Sequence, residues 1–445
     1  MLGIFVSIYL LVMLFLCFIR LRFGIAMYLL YQILVPFVNI NIGSVHFGQN
    51  LVNVIVFVSL LWSYNDKLNQ LEYKSLLPFI FLFVAQLLLI PLHTKMPVEE
   101  QFNFFRLDIM GSLMLPFAMI NVMKFDKEAY ILFRNAMLIG VVIAVLYGIF
   151  LTLIPGVNPW LIAVMPLNDM KFNDSYALAE NGGRLFGRIS SVFSHPMTFG
   201  LFLCLSFVFT YSLIKPKGRN ITYFLLLALL VIAIIVCGVR TPIGSLIVVI
   251  AFYLAMTRKY SLIIYVAISS IIIYFIIQQF PELFAYISSM FDDKSEAVSG
   301  SSNSMRLEQL KGCINTIKNN EFFGLGYGWT GYYQSLHGDH PVMLAFESLV
   351  YVVLCNSGYM GIAIWIIVIF LYYRYIVLRF RRNSRIILLS LMVTYLTYSL
   401  ITGEYGYMKY FLIFYVIILS NYKQKRIFKK RYKIRTERIK TIASK

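Results

Sequence analysis

Eight side chains, drawn from two polar intervals and one tight turn, have the types and spacing for phosphate and proton chemistry. The interval 155–195 carries Arg184, Arg188 and His195. The longer interval, taken through its apolar end as 281–357, carries Arg306, His337, His340 and Glu347. Arg240 sits apart, in the run Cys237-Gly238-Val239-Arg240-Thr241-Pro242. A guanidinium is a rigid fork of donors that matches phosphate oxygens and keeps its charge. Several converging would seat a diphosphate. Taken singly, each arginine reads more readily as an ordinary interfacial cation facing lipid headgroups. Arg240 stands out because the turn leaves its backbone little freedom.

A histidine can exchange a proton near neutral pH. Glu347 follows His340 by seven residues, two helical turns, so on a helix the two share a face. In that arrangement His340 accepts a proton while Glu347 orients a substrate; otherwise Glu347 is the wet side of an interfacial helix. The turn Gly324-Leu325-Gly326-Tyr327-Gly328 offers backbone N–H groups to a phosphate, although a plain flexible loop is the better reading of a lone glycine cluster. The group His337-x-Asp339-His340 lacks the matched ligands of a metal site, so no metal and no cofactor are expected.

The elements that position these residues are membrane spans. The chain of 445 residues is 60% hydrophobic and 13% charged, with a mean hydropathy of +0.77. Many apolar runs reach the length that crosses a bilayer core, about 20 residues. They are continuous rather than alternating, which selects helices over a barrel. The expected fold is therefore all-α: one polytopic membrane domain, 1–445, of twelve or thirteen spans. Spans are expected near 2–19, 24–40, 48–63, 76–93, 108–123, 130–154, 196–214, 221–238, 241–257, 261–280, 358–378, 386–401 and 407–421. The stretch Val342–Cys355 is expected as a surface or dipping helix ahead of the span that begins near Gly358. A helix over 305–319 is expected to bury Leu307, Leu310, Ile314 and Ile317. The apolar start has no basic lead and no small-residue cleavage site, so it reads as a span rather than a signal peptide.

Basic residues orient the bundle. The tail 422–445 is strongly basic and belongs in the cytoplasm. Walking back from it gives +23 on the inner side and −4 on the outer, which together make the net +19 of the chain. That asymmetry accounts for the high pI without a nucleic-acid partner, the basic tail meeting anionic membrane lipids. All five histidines then fall on the outer face. Five cysteines without a CxxC pair, three of them inside spans, speak against a disulfide framework or a zinc site.

In order and spacing, four short motifs resemble the O-antigen ligase/polymerase family. They are Gly187-Arg188 through His195-Pro196, Gly238-Val239-Arg240-Thr241-Pro242-Ile243-Gly244, Ser304-Met305-Arg306 with the later Gly324-Leu325-Gly326, and His340 with Glu347, Gly358 and Gly361. Met197 and Pro341 depart from the pattern. The resemblance covers roughly 180–365. It implies a bacterial inner-membrane glycosyltransferase, independent of metal and working at the periplasmic face. Its donor would be a glycan on undecaprenyl diphosphate, and its acceptor a sugar hydroxyl of a glycan or of lipid A-core. Arg188, Arg240 and Arg306 would hold the diphosphate, and His340 would deprotonate or orient the acceptor. Joining repeat units of O-antigen, capsule or exopolysaccharide is the first expectation, and ligation of finished O-antigen to lipid A-core the second. A chain-length regulator or a flippase would be its natural companion. A flippase or transporter is itself the third reading, disfavoured because transporters gather polar residues at the bilayer midplane.

Overall fold

The structure is a computed structural model that describes residues 2–35, 40–42, 45–93, 95–154, 157–164, 167, 187–214, 220–258, 278–279, 303–404 and 406–423. Arg184, nearly all of the expected span 261–280, more than half of the interval 155–195, residues 281–302 and the tail beyond 423 lie outside the described residues.

The chain forms α1 (Leu2–Ile19), α2 (Leu21–Leu34), α3 (Gln49–Ser63), α4 (Leu77–Leu89), α5 (Val98–Ser112), α6 (Met114–Phe125), α7 (Lys127–Phe150) and α8 (Pro159–Val164). There follow α9 (Pro196–Leu213), α10 (Ile221–Val236), α11 (Arg240–Thr257), α12 (Asn303–Thr316), α13 (Trp329–His337), α14 (Leu349–Arg379) and α15 (Arg382–Thr402). The last helix, α16, covers 407–423. A small antiparallel hairpin, β1 (Ile40–Ile42) with β2 (Val45–Phe47), joins α2 to α3. Among the described residues seven helical stretches are long and apolar enough to cross a bilayer, and four shorter apolar helices join them. The protein is an all-α, multi-pass membrane protein.

Two faces separate cleanly. On one, Arg22 donates to Asp126 at 2.9 Å and to Glu128 at 2.6 Å, tying the α1–α2 and α6–α7 connections together. On the same face Lys423 meets Glu72 at 3.4 Å. Arg382 donates to the carbonyl of Met256 at 3.1 Å. These are among the connections expected from sequence on the cytoplasmic side. On the opposite face lie the segments that carry the candidate site.

Packing near that face depends on small residues. A Cβ on Gly200 of α9 would stand 2.4 Å from Pro242 Cγ of α11 and 2.6 Å from the Tyr398 hydroxyl of α15. Only glycine lets these helices approach so closely, as small residues do at membrane helix crossings. Beside this crossing the core is aromatic: Phe193, Phe199 and Phe202 are fully buried and pack on one another.

α14 is broken. Gly358 has φ 58° and ψ −153°, outside any helical region, so a short helix precedes it and the long span follows. The freed backbone groups are not left bare. The carbonyls of Cys355 and Asn356 accept from Leu325 N (2.8 Å) and Gly326 N (3.2 Å). Tyr359 N and Met360 N donate to the carbonyls of Glu321 (2.8 Å) and Phe322 (3.0 Å). Non-helical backbone at membrane depth is tolerated when protein satisfies it in this way.

α12 corrects the expected apolar face. Cys313 and Ile317 are buried and Leu310 partly so, but Leu307 and Ile314 are exposed. The inward stripe runs through Arg306, Leu310, Cys313 and Ile317, rotated from the expected one because Cys313 acts as a core residue.

Candidate active site

The segment 187–195 is irregular, so its position must come from outside it. Asn158, just before α8, does most of this. Its Nδ2 donates to the Ser191 carbonyl at 2.8 Å and to Ser190 Oγ at 3.3 Å, while its Oδ1 accepts from Tyr147 of α7 at 2.9 Å. Ser191 has φ 52°, a left-handed conformation costly for serine, and its hydroxyl donates to the Ala144 carbonyl at 2.7 Å. Phe193 anchors the segment between Phe199, Phe202 and Tyr410.

Held in this way, the segment reaches the α10–α11 turn, where Ile189 N donates to the Cys237 carbonyl at 3.1 Å. Gly238 supplies the left-handed residue of that turn, with φ 69°, and Arg240 is the first residue of α11. Arg188 and Arg240 therefore project from adjacent backbone segments, and both are half-buried.

His195 caps α9, its Nδ1 accepting from Met197 N at 3.1 Å, with Pro196 at the first helical position. Proline fits there because that N–H has no helical partner. Burial, helped by the charge of Arg188, pulls the His195 pKa down to about 4. The ring is neutral at pH 7. Because Nδ1 is the acceptor, its proton sits on Nε2.

His340 is wired the same way. Its Nδ1 accepts from Val342 N and Met343 N, each at 3.1 Å, and burial lowers its pKa. It too presents Nε2–H. This geometry favours a donor at His340 over the proton acceptor expected from sequence.

His340 and Glu347 do not share a helical face. The segment between them is a tight loop closed by an antiparallel bridge between His340 and Leu344, with Leu344 at φ 50° and Phe346 at φ 54°. The helix starts only at Leu349, where the Ser348 hydroxyl caps Val350 N at 3.3 Å. Glu347 lies just ahead of that cap. It pairs with Arg306 of α12, Nη2 to Oε2 at 3.4 Å, and its own backbone carbonyl takes a second bond from Arg306 Nη1. His337 is exposed at the end of α13, its ring against Tyr333.

The two groups meet at the end of α15. The Tyr398 hydroxyl donates to the Met197 carbonyl at 2.7 Å, and Ser348 Oγ donates to the Leu400 carbonyl at 2.8 Å. One turn of α15 is thus flanked by the His195 segment and by the Glu347 segment.

The glycine turn is not a phosphate cradle. Gly324 N donates to the Asn320 carbonyl at 2.7 Å and Tyr327 N to Gln101 Oε1 at 3.0 Å, while Leu325 and Gly326 serve the α14 break. His93 of the α4–α5 corner supports the same turn, its Nε2 2.7 Å from the Phe323 carbonyl.

Sequence reading missed four polar residues on this face. The Tyr327 hydroxyl donates to Asp108 Oδ2 at 2.8 Å. Lys409 donates to Gln49 Oε1 at 3.0 Å and lies 4.8 Å from the Tyr410 ring centroid. Glu404 accepts from Gly406 N at 2.9 Å and Met408 N at 2.7 Å. Burial pushes the carboxyl of Glu404 upward, and the residue is half-buried. The one sequence signal was the short polar interval Gly403-Glu404-Tyr405-Gly406 between two apolar runs. Among the described residues no cluster of three or more His, Cys, Asp or Glu side chains has metal-site spacing.

Such an architecture defines a class: a polytopic membrane protein with a polar, arginine-bearing site beside its bundle. A family model described as O-antigen ligase matches residues 225–366. That match supports an O-antigen ligase/polymerase-like family, and with it glycosyl transfer of that general type. No curated protein matches the chain. The matched region contains Arg240, Arg306, His337, His340 and Glu347; Arg188 and His195 precede it.

Proposed function

We propose that this protein is a bacterial inner-membrane polymerase that joins glycan repeat units carried on undecaprenyl diphosphate. The site faces the periplasm, as the charge asymmetry directs. The observation that carries the reading is that the last turn of α15 touches Met197, beside His195, through Tyr398 and Ser348, beside Glu347, through Leu400, so that the segments bearing Arg188/Arg240 and Arg306/Glu347 flank one helix end.

Arg188, Arg240 and Arg306 hold the diphosphate of the donor. An acceptor hydroxyl attacks the anomeric carbon, the bond from that carbon to the phosphate oxygen breaks, and undecaprenyl diphosphate leaves. Guanidinium groups stabilise the charge that develops on the leaving oxygens, which together with positioning is the main catalytic demand of the reaction. His340 offers Nε2–H to a substrate oxygen, and the carboxylate of Glu347 takes the hydroxyl proton. His195 and His337 contact glycan, and Arg184, outside the described residues, is a further candidate for binding substrate by its place in the sequence. No metal takes part. The acceptor is the growing glycan, with a chain-length regulator or a flippase as companion.

The match to an O-antigen ligase family model favours a second reading, ligation of finished glycan to lipid A-core. Deletion of the gene followed by gel analysis of surface glycan separates the two. A single-repeat product identifies the polymerase; lipid-linked polymer beside bare core identifies the ligase. Unchanged glycan removes both.

A further inference from the structure

The sulfurs of Cys313 and Cys355 lie 3.4 Å apart, and both residues are fully buried. One comes from α12, the other from the short helix of α14 ahead of the Gly358 break. They sit in a small core of their own on the site face, with Ile317, Leu325, Met343 and Phe346. Cys17, Cys204 and Cys237 instead lie in the core of the spans. A disulfide needs sulfurs about 2.05 Å apart, so small side-chain rotations bring these two into bonding range.

We propose that Cys313 and Cys355 form a disulfide that cross-links α12 to α14 in the mature protein. This rests on the outward orientation proposed above, because disulfides persist in oxidising compartments outside the cytoplasm. Formation removes two electrons and two protons from the two thiols. The acceptor is a disulfide-bearing oxidant, which leaves as its dithiol through a mixed-disulfide step. The buried sulfurs place this reaction during folding, before the core closes.

The cross-link bears on the site through α12. Tyr351, four residues before Cys355, donates its hydroxyl to the Arg306 carbonyl at 2.8 Å. Fixing Cys313 to Cys355 holds Arg306 in register with Glu347. The sequence expectation against a disulfide framework arose from the lack of a CxxC pair and from the three cysteines inside spans, whereas these two partners are 42 residues apart and belong to different elements.

The test uses full-length wild-type protein in native membranes. Thiols are blocked with N-ethylmaleimide in denaturant, then the protein is reduced and labelled with a polyethylene-glycol maleimide. Two of the five cysteines should label only after reduction, and Cys313→Ser or Cys355→Ser should each abolish that labelling. If all five thiols are blocked before reduction, the cross-link is wrong. Orientation is read separately from external labelling of Ser335→Cys. Free thiols with external labelling at 335 defeat the disulfide alone, whereas labelling at 335 only after lysis defeats the functional reading.

Discussion

Arg306 and Glu347 are joined twice, once through the carboxylate at 3.4 Å and once through the Glu347 backbone carbonyl. Only the first contact depends on the glutamate side chain. The arginine is therefore held even when the carboxylate is neutralised, and the two substitutions should behave differently.

Arg306→Ala should lower glycan transfer by about 10²–10³, the usual cost of losing a donor to developing charge. Glu347→Gln should leave donor KM near wild type, because the backbone contact still orients Arg306, while kcat falls through loss of the proton acceptor. Steady-state kinetics with a lipid-linked donor distinguish these patterns. A pure KM effect for Glu347→Gln would remove its assigned role.

Arg240→Lys should fail nearly as badly as Arg240→Ala. A point charge cannot reproduce a bidentate fork, and the Gly238 turn gives the side chain no slack to adjust. Both variants should insert at normal levels by membrane immunoblot. Near-normal transfer by Arg240→Ala would place the diphosphate elsewhere.

His195 gives a pH prediction with a definite sign. Its pKa falls from an ordinary 6.5 to about 4 in the folded protein, so the unfolded chain binds the extra proton first. The stability that it contributes is present above pH about 6.5, and is lost as pH falls toward 4. His195→Asn keeps an oxygen acceptor for Met197 N but cannot titrate. Thermal unfolding of the variant should therefore vary less with pH across that window. His195→Ala loses the cap as well, at about 1 kcal/mol.

A cysteine at Ser335 should react with an impermeant maleimide in intact cells, and one at Asn69, in the α3–α4 connection on the other face, only after lysis. The reverse pattern would turn the molecule over.

Transfer by the purified protein should persist in excess EDTA. Loss restored by one particular divalent ion would mean that His337, Asp339 and His340 hold a metal.

Much of the helical scaffold was legible because membrane spans announce themselves by length. The first span was expected at 2–19 and α1 occupies Leu2–Ile19. The break ahead of the long span was legible too, since a full span over Val342–Cys355 would have set two outward ends in conflict and Gly358 follows it. What failed was local geometry among polar residues. Sequence spacing put His340 and Glu347 on one helix, but Pro341 and two left-handed residues, Leu344 and Phe346, turn the chain into a closed loop. Asn158, Asp108, Tyr327 and Lys409 act through partners far away in sequence. Asn158 meets Ser191 thirty-three residues on, and Tyr327 meets Asp108 across 219. No periodicity carries that information. The arginines were found by charge and place, but the double hold of Glu347 on Arg306 belongs to the folded chain alone.

The break at Gly358 sets the unit that can be exchanged between related proteins. A Cβ there would stand 2.3 Å from the Glu321 carbonyl oxygen, and the carbonyls of Cys355 and Asn356 find their donors only in the 324–326 turn. A chimera that swaps the extramembrane interval by itself, cut at the apparent membrane border, would strand those carbonyls and leave the incoming turn without its seat. The transplantable module instead runs from α12 through the first turn of the long span, about 303–360. Its boundary lies within a transmembrane helix rather than at its end, so loop-swapping designs aimed at new glycan specificity must carry the top of α14 with them.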